Sequence, residues 1–119
     1  MFIDADNIAS ASIDLNRELV RHPAATFYAR VKGNAMADMG VEDGDVLIID
    51  RALELSDGCM VVCYIDNEFV LRRVAAGDGR VWLVTADGGR RELDPGNDTD
   101  TLWGVVAYCI KDVRHSRLQ

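Results

Sequence analysis

The sequence predicts a mostly β fold: a compact barrel or sandwich with short helical turns. Two patterns point to it. Short aliphatic and aromatic runs recur at regular spacing, and Gly- and Asp-containing turns separate them. Length and composition fit: 119 residues, 49% of them hydrophobic, suffice for one domain with a modest core. No internal repeat, linker or low-complexity stretch divides the chain.

The elements follow in order. Residues 1–12 read as an irregular, flexible arm, and the domain as 13–119. Residues 14–20 suit a short helical turn with Asp14 as its N-cap, and Pro23 prevents its continuation. Residues 26–31, rich in aromatic and β-branched side chains, read as a strand. Residues 35–39 have poor strand propensity and suit one helical turn. The aliphatic run 46–50 reads as a buried strand. Ser56 lies in a turn with Asp57 and Gly58. Residues 60–65 and 69–74 form a hairpin, closed by Asp66 and Asn67, because Asn tolerates positive φ. Gly77, Asp78 and Gly79 turn the chain into a strand at 81–84, and Asp87, Gly88 and Gly89 turn it again. Residues 96–100 form a polar loop, and 103–110 close the sheet. Gly33, Gly44 and Gly104 are expected at turns or at close strand approaches.

Composition excludes several function classes. A net charge of −7 opposes broad contact with a nucleic acid backbone, so action at DNA is expected through other proteins. Basic residues do cluster at Arg72-Arg73, at Arg90-Arg91 and in the tail (Arg114, His115, Arg117). A solvated face explains them, and partner docking is the alternative. No apolar run reaches bilayer length and no signal peptide is visible, so the chain is expected to be cytoplasmic with no membrane contact. Cys59, Cys63 and Cys109 lack metal-ligand spacing and read as small buried hydrophobes. Asp38, Glu42, Asp43 and Asp45 crowd one turn, but not at EF-hand spacing. No metal and no cofactor is assigned.

The chemistry-bearing segment is Gly33-Asn34-Ala35-Met36, then a polar turn, then Gly44-Asp45 and an aliphatic run ending at Asp50. It resembles the nucleophile segment of the UmuD/LexA family, self-cleaving proteins of the bacterial SOS response. The family pattern places a serine at the position of Ala35, and a methyl group cannot attack a carbonyl. A second segment, Asp66-Asn67-Glu68-Phe69-Val70-Leu71-Arg72-Arg73-Val74, is similar to the family's hairpin carrying its lysine base. The lysine position falls on Arg72. A buried lysine can shed its proton near neutral pH, whereas a guanidinium keeps it. Both halves of a Ser-Lys dyad are thus replaced.

The resemblance spans residues 13–112. Ile13-Asp14-Leu15-Asn16 and His22-Pro23-Ala24 are similar to UmuD in particular, and Trp103-Gly104-Val105-Val106 to the closing strand. No other serine (Ser10, Ser12, Ser56, Ser116) sits in a nucleophile motif. The lysines are Lys32 and Lys111. His22 and His115 read as surface residues. Residues 1–12 contain no Cys-Gly or Ala-Gly bond, and Ala76-Gly77 falls in an expected tight loop inside the core. The chain therefore resembles the processed form of UmuD.

What the resemblance implies is a non-catalytic accessory of translesion DNA synthesis. It would form homodimers, or heterodimers with UmuD or its processed form UmuD′. It would bind a Y-family DNA polymerase subunit and the RecA filament, or compete with host UmuD for them. Two alternatives stay open: an active peptidase in which Ala35 is an engineered replacement of serine, and a regulatory partner of a LexA-type repressor. Gly33, Asn34, Met36 and Met39 are the expected groove residues, methionine suiting adaptable peptide contacts. Core filling competes as the role of Met36.

Overall fold

A computed structural model describes residues 12–34, 36–85, 87–94 and 102–114. The expected arm (except Ser12), Ala35, the loop 96–100, His115 and Arg117 lie outside the described residues. Asp14 caps helix α1 (Leu15–Leu19), its carboxylate accepting from the Arg17 N–H. Pro23 then opens a single 3-10 turn, Pro23–Ala25. Seven strands follow: β1 (Thr26–Arg30), β2 (Val46–Asp50), β3 (Met60–Ile65), β4 (Glu68–Gly77), β5 (Arg80–Val84), β6 (Arg90–Glu92) and β7 (Leu102–Ile110). A second 3-10 turn, Ala37–Met39, precedes β2.

All pairings are antiparallel, in one sheet of order β1-β2-β7-β3-β4-β5-β6. The mostly β architecture is the one expected. The hairpin turn is as read: Asp66 and Asn67 both take positive φ, 51° and 65°, between paired Ile65 and Glu68. Two expectations are corrected. Ala76 and Gly77 lie in β4, paired with Val81 and Arg80, and only Asp78 and Gly79 form the loop. β6 was not expected, because Arg90-Arg91-Glu92 lacks strand propensity. Its pairing with β5 makes it a strand. Through that pairing Arg73 and Arg90 flank Val84 on neighbouring strands.

Apolar side chains pack on both faces of the central strands. On one face Val61, Cys63, Val74, Leu83 and Val105 are covered by Leu53, Leu55 and Leu93. On the other, Leu47, Ile49 and Val62 are covered by Val31, Met36, Met39 and Val41. Each such buried side chain contributes about 1.5–3 kcal/mol. Cys63 is fully buried as expected, but Cys59 is only partly buried and Cys109 is exposed, within the solvent-exposed last residues of β7. β7 carries two irregularities, against β2 and β3, which leave Ala107 and Trp103 outside the regular register. The Trp103 carbonyl, freed from the ladder, accepts from Arg51 Nε, whose guanidinium lies over the indole ring. Among the described residues no helix is long and apolar enough to cross a membrane.

Candidate functional site

The segment leading to position 35 is fixed from both sides. Val31 continues the β1–β2 pairing by one step: its N–H donates to the Asp45 carbonyl and its carbonyl accepts from Gly44. Gly33, at φ +85°, then turns the chain, a conformation that would strain any residue with a Cβ. The Gly33 N–H donates to Asp43 Oδ1 (2.8 Å), and the Asp43 N–H donates to Asn34 Oδ1 (3.0 Å). Beyond position 35 the Met36 carbonyl accepts from the N–H groups of Met39 and Val41. The Met36 side chain is 4% exposed and packs with Leu47, Ile49 and Val62.

The opposite wall is β4, and among the described residues half of it has no strand paired on its other edge. Val74 sends both its N–H and its carbonyl toward the β3 side, to Cys59 and Gly58. Peptide groups alternate along a strand. With no register shift between β3 and β4, Leu71 and Phe69 therefore turn theirs to the other edge. There β5 pairs only with residues from Arg73 onward. The carbonyl of Leu71 is instead capped by Arg72 Nη1 at 2.8 Å. Arg72 is half-buried and stands opposite Val61.

Between these walls runs a cleft of about 440 Å³. Arg30 to Gly33 line one side and Phe69 to Arg72 the other, while Met36, Leu47 and Val62 form an apolar floor. The structure thus brings Gly33, Met36 and Arg72 to one place, although Gly33 and Arg72 are far apart in sequence. Met36 serves as both floor and core. Asn34 and Met39 are not among the lining residues: Asn34 holds Asp43, and Met39 packs into the core beneath. An open strand edge above an apolar floor suits an extended peptide added as a further strand.

A guanidinium has N–H donors and no acceptor, so Arg72 can only donate. On the far face, burial pushes the Cys63 thiol up to about 11 against the opposing charges of Arg72 and Arg91, so it is not a thiolate at neutral pH. At the rim an aromatic series joins four strands: Tyr64 against Phe69, Phe69 against Trp103, and Trp103 against Phe27, with ring centroids 4.9, 5.5 and 4.9 Å apart.

Two ionic contacts flanking the site were not foreseen. Asp45, 2% exposed, accepts from the Glu42 N–H, from Cys109 Sγ and from Lys111 Nζ at 2.6 Å. Lys111 also reaches Glu42 at 2.9 Å. Asp50, 3% exposed, accepts from the Ala52 N–H and lies 2.6 Å from His22 Nδ1, so His22 is a structural partner as well as a surface residue. Burial pushes both carboxylic acids up, but these hydrogen bonds outweigh it and hold both below the ordinary carboxylate value. Two carboxylates bracketing a buried aliphatic run were the available signal, since such groups need partners.

The chain is similar in sequence to known proteins over nearly its whole length. The Peptidase S24-like family matches residues 1–107. Protein MucA of Escherichia coli is 36% identical over 107 residues, covering 89% of this chain and 73% of MucA. Protein ImpA of Shigella flexneri is 34% identical over 114 residues, covering 95% and 77%. The LexA repressor of Acidithiobacillus ferrooxidans is 36% identical over 93 residues, which is 75% of this chain but 45% of the repressor. The antiparallel sheet and the matches over nearly the whole chain lead to one conclusion: this chain belongs to the Peptidase S24-like family, as a UmuD-like member.

Proposed function

We propose that this chain is a non-catalytic, UmuD-like binding protein of SOS mutagenesis that works in the cytoplasm through protein partners. The observation that carries the reading is Arg72. The residue at the position of the family's base is a permanent cation, and it is bonded to the carbonyl of its own strand. Ala35, at the position of the nucleophile, has no hydroxyl to activate. What remains usable is the cleft and the sheet surface. On this reading the chain forms homodimers, or heterodimers with a UmuD or UmuD′ subunit. In that state it engages a Y-family polymerase subunit and the RecA filament, or competes for them.

Light scattering tests the association. A homodimer that exchanges subunits with UmuD′ to give a mixed dimer is the expected result, and a strict monomer indifferent to UmuD′ would remove the reading. Loss of catalysis is tested separately. Ala35→Ser alone is expected to leave cleavage of an SOS substrate in trans at background, because Arg72 supplies no base. Cleavage by that single variant would instead favour a peptidase in which Ala35 replaces a native serine. Ala35→Ser combined with Arg72→Lys restores both functional groups and is the variant in which activity is expected to return.

A further inference from the structure

The cleft has a charge character that its apolar floor does not require. Arg30, Lys32 and Arg72 line it, and among the described residues no carboxylate does. This occurs in a chain of net charge −7 with 20 acidic residues. Arg30 spends one N–H on the Gly44 carbonyl at 3.0 Å. Lys32 is exposed and has no ion-pair partner among the described residues. Arg72 donates to the Leu71 carbonyl, the group an added strand would address, and its charge also reaches the exposed Asp87 carboxylate, with which a ligand carboxylate would compete.

We infer that this cleft selects an extended protein segment in which apolar residues alternate with aspartate or glutamate, laid as an added strand along the open edge of β4. The inference rests on the binding reading above and names the chemistry of the segment bound. Side chains of a strand point alternately to its two faces. One set of the ligand's side chains would meet Met36, Leu47 and Val62, and the other the rim cations. The exchange at Leu71 leaves no group unsatisfied. An incoming backbone N–H replaces the guanidinium on the carbonyl, and the released guanidinium takes a carboxylate of the ligand. Arginine suits this use, because its planar fork matches a carboxylate with two parallel hydrogen bonds.

Fluorescence anisotropy with the full chain tests this. The probes are labelled peptides of about eight residues, a typical strand length, with valine alternating with aspartate, asparagine or lysine. The aspartate peptide is expected to bind at least about tenfold more tightly than the asparagine isostere. Raising salt from about 50 to about 500 mM should shrink that preference, since exposed charges are screened. Lys32→Glu and Arg72→Gln should each reduce it, and Lys32 is exposed enough that folding is not at stake. N-methylation of the peptide backbone should abolish binding.

Equal affinity for aspartate and asparagine peptides overturns the inference. So does a preference that survives both substitutions, or failure of every peptide to bind. Preferential binding of a single-stranded thymidine oligonucleotide overturns it as well, by assigning the cations to phosphate. The light-scattering assay on the same preparation separates the two claims. Mixed-dimer formation without peptide selection leaves the binding reading intact and removes only this one.

Discussion

Asp45→Ala is expected to cost about 3 kcal/mol. The carboxylate is 2% exposed and satisfies three donors at once: the Glu42 N–H at 2.8 Å, Lys111 Nζ at 2.6 Å and Cys109 Sγ at 3.4 Å. Removing it strands a backbone N–H and deprives Lys111 of its closest acceptor. It also loosens the junction between the acidic turn before β2 and the end of β7. In a domain of this size the loss corresponds to a fall in Tm of roughly 10 °C. Asp45→Asn keeps an oxygen for the Glu42 N–H but no charge for Lys111, so its loss should be smaller. A melting temperature for Asp45→Ala within about 2 °C of the parent would show that the cluster contributes little.

The same cluster sets a pH dependence. Asp45 and Asp50 both lie below the ordinary carboxylate value of 3.8 in the folded chain. The unfolded chain therefore takes up protons first as pH falls. The stabilisation is fully present above 3.8 and is lost as pH drops through the lowered values. Lys111 is raised above 10.5 by its hydrogen bonds to Asp45 and Glu42, so its contribution is present below 10.5 and lost as pH rises through the raised value. Between those limits the pair stays charged and stability should be flat with respect to these groups. Denaturant melts of the parent and of Asp45→Ala at pH 3 to 7 read the acid limb directly, and the variant should show the shallower decline.

Gly104→Val is the second large effect, at about 3 kcal/mol of destabilisation. A Cβ at position 104 would sit 2.7 Å from Ile49 Cγ2 and 3.2 Å from Arg51 Cγ. Ile49 is 3% exposed, and its Cγ2 branches directly from Cβ, so it yields only if β2 moves relative to β7. Gly104 is not at positive φ, so the cost is steric rather than conformational. Gly104→Ala should lose roughly half as much, although a Gly-to-Ala change elsewhere stabilises by about 0.4–1 kcal/mol through the unfolded chain. Gly77→Ala is the control: it also lacks positive φ and has open space around its Cβ position, so it should be neutral or slightly stabilising. Urea melts of the three variants decide it. Equal stability of Gly104→Val and the parent would mean that β2 and β7 are not held at this distance.

Most of the strands and the Asp66-Asn67 turn were legible in the sequence, because each depends on a few neighbouring residues. Val46–Asp50 and Met60–Ile65 are read from aliphatic runs, and Asp66-Asn67 from tolerance of positive φ. The Gly33-Asn34-Ala35-Met36 segment and Arg72 can be named from residue type and order alone. What tertiary structure alone decided depends on residues far apart in the chain. β6 exists because β5 offers it a ladder, not because Arg-Arg-Glu favours extension. β7 inserts between β2 and β3, which places Lys111 on Asp45 and sets Gly104 against Ile49. His22 meets Asp50 because β1 pairs with β2, which sets Thr26 opposite Asp50. Arg72 could be named from the sequence, but the carbonyl it caps follows from where β5 stops pairing. Local propensity is encoded within a turn or a strand. Which polar groups are buried, and which partner each then finds, is settled only when the strand register brings distant residues together and excludes water.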